Sequence, residues 1–373
     1  MMTTKRLLDV CDFQGGTQPP KDEWINDPCE GYVRMLQIRD YSQGDAKFIQ
    51  YVKDTKKLHK CTKDDIMLSR YGYIGQAFIG LEGAYNVALV KVIKKAEIHT
   101  PYLLCYFQSY YFQHFLLSNV GARATIPGFN KDELENALIR IPEMCEQIEI
   151  ASKITKVDEL IGFHKQQLNV LDTLIKSRFI EMFGNMESNP KGWRQSTLGD
   201  ECYYIKDGPH KSPKYLDSID GIPFISTRNV VSGDGIDWST AKYISEADYL
   251  DCIKKCHPEK GDILYSKGGT TGIAKLVDTD IRFANWVHVA VLKFGAQLDG
   301  RFLECMLNMN YCYAQSQALT KGIANKDFVL SAIAQVKIYV PPIELQRKYT
   351  EFVKRTDKSK YHGEFTCGME VAA

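Results

Sequence analysis

The sequence lacks a long hydrophobic run. No stretch of about 18 apolar residues occurs, and the first residues show no basic segment followed by an apolar one. A helix needs about 20 mostly apolar residues to cross a bilayer. The sequence therefore predicts neither a membrane-spanning helix nor a secretory signal peptide, and we expect a cytoplasmic protein without a membrane partner.

Cysteine pairing and metal-ligand spacing are also missing. The 11 cysteines are an odd number without paired spacing, and several lie in apolar runs. This distribution is typical of small core residues in a reducing compartment. Possible zinc ligands stand together in only one group, Cys252, Cys256 and His257. A structural zinc site needs four ligands and no second cysteine pair follows, so we expect no metal site.

Signatures of catalysis are absent as well. The sequence has no phosphate-binding loop motif, no H-E-x-x-H and no G-x-S-x-G. It also lacks the Asp/Asn-Pro-Pro-aromatic tetrapeptide with which amino-methyltransferases hold a flipped base. Residues 266–272, SKGGTTG, have their lysine before the glycines, whereas a phosphate-binding loop has it after them. We therefore expect a binding protein without a catalytic site.

An excess of positive charge is missing too, because the formal net charge is +1 and the pI is about 7.5. A DNA-binding role would require the cations to be concentrated in loops. Residues 53–63, KDTKKLHKCTK, form one basic segment, and glycine-rich loops carry further cations. For any single basic loop, a solvated surface remains an open alternative.

What the sequence does contain is a long heptad pattern at residues 150–184. Its apolar side chains recur at spacings of three and four, as in a coiled-coil seam. The pattern predicts a helix of about 35 residues and about 50 Å, which cannot bury its apolar stripe alone. It needs a second helix or a partner subunit. The predicted seam, including a second helix near the end, consists of Ile154, Val157, Ile161, Leu168, Leu171, Ile175, Leu345, Tyr349 and Phe352.

The two flanks of this helix repeat the same order of features, displaced by roughly 190 to 200 residues. The closest match pairs DDIMLSRYGYIG, residues 64–75, with GDILYSKGGTTG, residues 261–272. Each has three apolar residues, a serine, a cation and a glycine-bearing turn. The runs at 32–40 and 222–230 also correspond, each with an arginine near its end. Two homologous domains are therefore more plausible than one large domain with a long core helix.

The predicted fold class is α+β, with two homologous mixed α/β domains separated by long coiled-coil-like helices. We assign a first domain to residues 1–142, a central spacer helix to 143–185 and a second domain to 193–341. A short distal spacer helix is predicted at 342–360, because its apolar stripe stops after two or three turns. The last residues, 361–373, contain two glycines and no periodicity, which predicts an irregular tail.

Several strings in this order resemble the specificity subunit of type I restriction-modification systems. They are QGGTQPPK from Gln14, KSRFIEMFG from Lys176, WRQSTLGDEC from Trp193, GDILYSKGGTTG from Gly261 and VPPIELQRKYTEFV from Val340. The resemblance extends to about Lys360. It implies that each globular domain is a target-recognition domain that reads one half of a split, asymmetric sequence in double-stranded DNA. It also implies that the helices form a spacer that sets the gap.

The resemblance further implies partners and their cofactors. Two methyltransferase (modification) subunits would dock on the helices and supply S-adenosylmethionine, and a motor/endonuclease (restriction) subunit would use ATP and Mg²⁺. This chain would bind no cofactor itself. Two alternatives stay open, namely the specificity module of a type II-like system and a non-DNA coiled-coil scaffold with two binding domains. Self-association through an unpaired helix stripe is also possible.

The candidate DNA-binding residues come from loops that recur in both domains. Serine can donate to a phosphate, and arginine or lysine can neutralise the backbone or read guanine. In the first domain they are Gln14, Thr17, Gln18, Lys21, Arg39, Arg70 and Tyr71. In the second domain they are Lys206, His210, Lys211, Arg228, Asn229, Ser266, Lys267, Thr270 and Thr271. On this interpretation, Lys267→Ala weakens DNA binding and leaves folding intact.

Overall fold

The computed structural model describes residues 3–44, 48–120, 128–233, 235–322 and 326–370, and the side chains among them up to residue 357. The chain divides into two compact units, Met1–Gly162 and Phe163–Ala373. The described residues of the first unit form four short α-helices before the long one that leaves it. These are α1 (Leu7–Val10), α2 (Ile38–Ser42), α3 (Thr100–Gln108), α4 (Tyr110–Asn119) and the long α5 (Met144–Phe183).

The strands of the first unit form one two-stranded and two four-stranded sheets. They are β1 (Thr3–Arg6), β2 (Cys11–Gly15), β3 (Tyr32–Leu36), β4 (Tyr51–Lys53), β5 (Lys60–Cys61), β6 (Met67–Ser69), β7 (Ala77–Phe78), β8 (Gly83–Tyr85), β9 (Leu89–Lys94) and β10 (Leu138–Ile141). The strand orders are β1-β10, β2-β9-β6-β7 and β4-β3-β8-β5. Only the β3–β8 pair is parallel among these described pairings.

The second unit repeats this arrangement. Its strands are β11 (Arg194–Thr197), β12 (Cys202–Asp207), β13 (Tyr215–Leu216), β14 (Ile222–Ile225), β15 (Lys242–Ile244), β16 (Ile263–Ser266), β17 (Ala274–Leu276), β18 (Ala284–Asn285), β19 (Val289–Phe294) and β20 (Lys337–Val340). Its helices are α6 (Leu198–Glu201), α7 (Thr227–Val231), α8 (Glu246–Lys255), α9 (Gly300–Asn308), α10 (Asn310–Leu319), α11 (Leu330–Ile333) and α12 (Ile343–Glu370).

The sheet topology of the two units matches strand for strand except that one outer strand lies at opposite ends of the corresponding sheets. The orders in the second unit are β11-β20, β12-β19-β16-β17 and β13-β15-β14-β18, with β14–β18 again parallel. In the first unit, the outer strand β5 of the sheet β4-β3-β8-β5 pairs with β8. In the second unit, the outer strand β13 pairs with β15, the counterpart of β4. The mixed α/β composition of two homologous domains, predicted above, is confirmed.

A buried glutamine at the start of a helix recurs in both units. In the first, Gln147 Nε2 donates to Pro142 O at 3.0 Å and its Oε1 accepts from His99 N at 2.9 Å. In the second, Gln346 makes the same two contacts, with Pro341 O at 2.7 Å and Asp299 N at 2.9 Å. Gln147 thus links the start of α5 to the start of α3, and Gln346 links the start of α12 to the start of α9.

The long helix α5 occupies nearly the whole of the predicted segment 143–185. Within the second unit, its last turns pack against the first turns of α12, where Tyr349 Oη donates to Ile175 O at 3.3 Å. Four residues of the predicted seam pack in the main hydrophobic core of the second unit, namely Ile175, Leu345, Tyr349 and Phe352. Ile161, Leu168 and Leu171 are half-buried. Ile154 and Val157, in the first unit, are 39% and 41% exposed.

The predicted irregular tail is wrong for residues 361–370, because α12 continues to Glu370. Helix propagation adds one backbone hydrogen bond per residue, and each glycine costs only about 1 kcal/mol relative to alanine. The end of an apolar stripe is therefore not the end of a helix. Residues 371–373 lie outside the described part of the chain. None of the helices, as far as their residues are described, has the length and apolarity required to cross a membrane.

Candidate nucleic-acid interface

The candidate residues of the first unit gather where three segments leave the sheets. Strand β2 ends at Gly15 and β6 ends at Ser69, and both pair with the first residues of β9. Gly16 N donates to Leu89 O at 3.1 Å and Arg70 N donates to Ala88 O at 2.8 Å. The loop after β2 and the turn after β6 therefore lie side by side.

Helix α2 begins at the same place. Asn86 N donates to Leu36 O at the end of β3, at 3.0 Å, and Thr17 N donates to Tyr85 O at 3.0 Å. We call this surface the first edge; it comprises residues 14–21, α2 and residues 70–76. The sequence motifs that were predicted to bind DNA in the first domain are thus brought together.

The second unit builds an equivalent surface, the second edge, from residues 206–213, α7 and residues 267–272. Lys267 N donates to His288 O at 2.9 Å, and Thr227 Oγ1 donates to the same carbonyl at 3.2 Å. Trp286 N donates to Ile225 O at 2.8 Å, as Asn86 does to Leu36. The same three segments therefore meet in both units.

The serine and glycines of the repeated turn serve the backbone. Ser266 is fully buried, and its Oγ accepts from Ile273 N at 2.9 Å. Gly272, at a φ of +85°, donates its N–H to Ser266 O at 2.9 Å. Ser69 and Gly75 make the same contacts in the first unit. The burial of Ser266 argues against the predicted DNA contact, because its hydroxyl is already used to close the turn.

Another recurring glycine allows two backbone segments of the same unit to touch. A Cβ on Gly16 would lie 2.0 Å from Asn86 O, and a Cβ on Gly208 would lie 1.8 Å from Asn285 O. No side chain fits at such a distance. At these positions glycine therefore permits a close approach between two segments of the chain itself.

The cation of the repeated turn is neutralised in the second unit. Lys267 has a side chain only 7% exposed, and its Nζ lies 3.4 Å from Asp207 and 3.2 Å from Asp327. Asp207 also accepts from Lys255 Nζ at 2.7 Å. A charge that is buried between two carboxylates is not available to DNA without breaking those pairs. The prediction that Lys267→Ala leaves folding intact therefore disagrees with this geometry.

The corresponding cation of the first unit, Arg70, has a different environment. Gly15 stands at the strand position of Asp207, and Gly128 stands at the bridge position of Asp327. Arg70 donates instead to two neutral acceptors, Phe129 O at 3.1 Å and Asn130 Oδ1. No carboxylate in the described part of the chain pairs with it. The first edge thus keeps a positive charge that the second edge loses.

Two further candidates in the second unit hold the structure together. Asn229 is buried and accepts at 2.9 Å from Ser226 N, while its amide donates to Asp237 O at 2.9 Å. It is the N3 residue of a capping box at the start of α7. Thr271 is buried and its hydroxyl lies 2.9 Å from Thr320 Oγ1. Burial and saturated hydrogen bonding favour a structural role for both.

The remaining candidates are accessible to different degrees. Arg39 is half-buried; it donates to Gln50 Oε1 at 2.7 Å and lies over the Phe48 ring. Gln14 accepts from Tyr85 Oη at 3.0 Å, and burial raises the pKa of Tyr85, which keeps that hydroxyl protonated. Thr17 and Tyr71 are half-buried. The exposed candidates are Gln18, Lys21, Lys206, His210, Lys211, Arg228 and Thr270.

The sequence interpretation missed two features. The first is the pair Gln147 and Gln346, because a single polar residue in a helix gives no periodic signal. Each lies five residues after a proline, and this shared spacing is the sequence feature that could have identified them. Tyr73 was overlooked as one of 21 tyrosines. In the described residues no group of three or more His, Cys, Asp or Glu side chains is placed to hold a metal ion.

Comparison with known proteins gives a consistent result. A family model described as the type I restriction modification DNA specificity domain matches residues 1–173 and again residues 190–362. The chain is 26% identical to the type I restriction enzyme MjaVIII specificity subunit of Methanocaldococcus jannaschii, over 94% of this chain and 85% of that protein. It is 24% identical to the MjaIX specificity subunit of the same organism, with the same coverage.

Two solved structures share the fold. One is the S subunit of a type I restriction-modification system from M. genitalium, with a TM-score of 0.54 and 16% identity over 100% of this chain and 93% of that one. The other comes from work on complex assembly and conformational transition of the type I R-M system, with a TM-score of 0.52 and 15% identity over 100% and 94%. The chain therefore belongs to the type I restriction-modification DNA specificity family and carries two copies of its domain.

Proposed function

We propose that each unit reads one half of a bipartite, asymmetric DNA sequence through its edge. The observation that carries this proposal is the recurrence of the edge itself, since the same three loop segments meet in both units. Two similar but non-identical reading surfaces in one chain suit a site made of two different halves.

The two edges would contact DNA through different side chains. At the first edge, Arg70 and Lys21 offer positive charge, and Gln18 can pair with a base edge. At the second edge that role falls to Arg228, Lys206 and Lys211, because Lys267 is paired internally. Phosphate contacts would supply most of the affinity, which should fall with salt, and base contacts would set the sequence.

The chemistry would belong to partner subunits. Methyltransferase (modification) subunits would hold S-adenosylmethionine and methylate adenine, and a restriction subunit would use ATP and Mg²⁺. This chain would be non-catalytic. An enzyme that methylates a base must take it out of the stack, so a reader that grips DNA on both sides of the gap would assist the partner.

Exposed apolar side chains on α5 support docking of the modification subunits. In the first unit, Ile154 lines a groove of about 560 Å³ together with Tyr102, Tyr106 and Tyr111. Val157, one helical turn further along α5, is exposed. In the second unit, Phe163, Val170 and Leu174 are exposed on the same helix. Apolar side chains clustered on an exposed helix commonly mark a protein interface.

Co-purification tests the docking surface. Val157→Asp should abolish recovery of a tagged modification subunit, because it places a charge in an apolar contact. Thr155→Asp introduces the same charge at a neighbouring exposed position and should leave recovery unchanged. Equal recovery with both variants would remove this stripe from the interface.

The helix that follows the first unit along the chain would set the gap between half-sites. A seven-residue insertion in α5 keeps the heptad phase and adds about 10 Å, which is roughly three base pairs of B-DNA. The methylated motif should then keep both halves and gain a longer gap. An unchanged gap would mean that α5 does not determine the spacing.

Methylation sequencing tests the function itself. The chain is co-expressed with candidate modification subunits, and the methylated adenines of the host DNA are mapped. The proposal predicts one split motif with two defined halves and a fixed gap. A soluble complex that methylates at a continuous motif, or without sequence preference, would contradict it.

A further inference from the structure

A tyrosine at the first edge projects from a rigid turn into solvent. Tyr73 is 80% exposed. It lies between β6 and β7, three residues after Arg70, at the place where the loop after β2 leaves the sheet. No ring stacking or cation contact joins Tyr73 to any residue that the structure describes. Its aromatic face is therefore free to meet a ligand.

The backbone on both sides of Tyr73 is held in place. Ser69 Oγ donates to Tyr73 O and accepts from Gln76 N at 2.9 Å. The next residue, Ile74, is buried in the main core of the unit. Gly75 O accepts from Gln113 Nε2 at 2.7 Å. An exposed ring on such a support has only its own side-chain torsions to restrict on binding, which lowers the entropic cost of contact.

The neighbouring tyrosine, Tyr71, differs from Tyr73 because its ring contacts the rest of the unit. Tyr71 pairs with Gly128, and a Cβ on that glycine would lie 2.4 Å from the Tyr71 ring. The Arg70 guanidinium also lies 5.3 Å from the Tyr71 ring centroid. Tyr71 is thus engaged within the unit, whereas Tyr73, two residues further on, is not.

The second unit has no aromatic ring at this position. Alignment of the two turns through their serines, Ser69 and Ser266, places Thr270 opposite Tyr73. Thr270 is exposed, and the residue after it is buried as Ile74 is. The scaffold of the turn is the same, so the ring is an addition to one edge and is not required by the fold.

We propose that Tyr73 stacks on a base step of the half-site read by the first unit and partly unstacks it, and that the second unit makes no such contact. The proposal rests on the proposed function. Proteins that deform DNA insert apolar or aromatic side chains between bases beside cations that hold the backbone. Arg70, with its unpaired charge, is the adjacent cation here.

Fluorescence of 2-aminopurine tests the contact. The full chain, assembled with its modification subunits, binds a duplex of the motif mapped by methylation sequencing. Single purines of each half are replaced by 2-aminopurine, except the methylated adenine, whose own removal from the stack would mask the signal. Fluorescence should rise at one step in the first unit's half only. Tyr73→Ala should abolish the rise and weaken binding about tenfold, whereas Tyr73→Phe should keep both.

Matched controls separate the possible outcomes. Tyr203→Ala removes an exposed tyrosine of β12 that lies outside both edges, and it should change neither the fluorescence nor the affinity. Unchanged fluorescence and affinity in Tyr73→Ala would overturn the proposal. Loss of the modification subunits from the Tyr73→Ala complex would also overturn it, by assigning the ring to a protein contact. Failure of the proposed function would appear already in the unmodified chain, as the absence of a split motif.

Discussion

The two units share their sheets, their turn serines and their helix-anchoring glutamines, yet their edges carry opposite charge arrangements. At one edge Arg70 faces Gly15 and Gly128; at the other, Lys267 lies between Asp207 and Asp327. The residues that recur are those that the fold requires. Recurrence within this chain therefore identifies the scaffold, and the residues that differ between the units are the better candidates for reading DNA.

A second difference lies inside the units. Val10 ends α1 and is buried in the core of the first unit. Glu201 ends α6 at the same position and is buried among hydrogen-bond donors: Arg194 at 2.7 Å, Ser196 at 2.6 Å and Gln297 at 2.9 Å. One backbone position is thus filled by an apolar contact in one unit and by a charged network in the other.

The largest difference should appear when the turn cation is removed. Lys267→Ala leaves two carboxylates without their shared partner, and we expect it to lower the free energy of unfolding of the second unit by about 3 kcal/mol. Arg70→Ala should cost the first unit less than about 1 kcal/mol. Hydrogen exchange of each unit measures both, with exposed Lys206→Ala as the control. Equal losses of stability in the two variants would contradict the different structural roles of Lys267 and Arg70.

A fall in pH should destabilise the second unit more than the first. The hydrogen bond from Arg194 holds the pKa of Glu201 at about 2, below its ordinary 4.5. Because the folded pKa is the lower one, this stabilisation is present above pH 4.5 and is lost as the pH falls towards 2. The second unit should lose about 2 kcal/mol between pH 5 and pH 3 through this group alone.

Glu201→Gln supplies the test of that assignment. The variant should be less stable at neutral pH and should lose the acid-dependent part of the second unit's hydrogen-exchange protection. The first unit, which has Val10 at this position, should show the same pH profile in both proteins. An unaltered acid response in the variant would assign the sensitivity to another group.

The anchoring glutamines should behave alike. Gln147→Ala removes the partner of one N–H and one carbonyl, and Gln346→Ala removes the partner of one N–H and two carbonyls. Each substitution should destabilise the corresponding unit by about 1 to 2 kcal/mol. Exposed Gln335→Ala should have no measurable effect. Chemical denaturation followed by hydrogen exchange reports each unit separately. A large effect in one unit and none in the other would show that these glutamines are not part of the shared scaffold.

The smallest effects concern two neighbours in α7. Asn229→Ala removes the N3 side chain of the capping box of α7 and should cost about 1 kcal/mol of stability, with DNA specificity unchanged. Arg228→Ala should alter stability by less than about 0.5 kcal/mol and weaken DNA binding. Thermal denaturation measures the stability of the two variants, and duplex binding measures their affinity for DNA. A loss of specificity in Asn229→Ala alone would reverse the assignment.

Much of the architecture could be predicted from sequence because it depends on repeated patterns. The heptads located α5, and the paired strings identified loop segments that meet within each unit. The burial of Lys267 could not be predicted, because Asp327 lies 60 residues away and comes close only in the folded chain, through the bridge to Gly268 and the hydrogen bond from Phe328 N to Lys267 O. Recurrence of the Ser-cation-Gly turn suggests a function in the sequence, whereas the backbone geometry of a tight turn explains its serine and glycines.

The proposed function requires the two edges to read separate halves of one DNA site through residues that they do not share. Methylation sequencing of Arg70→Ala and Arg228→Ala complexes beside the unmodified complex tests it most directly. Arg70→Ala should relax the sequence of one half only, and Arg228→Ala should relax the other half only, with the gap unchanged in both. Relaxation of the same half by both substitutions, or of neither half by either, would contradict the account.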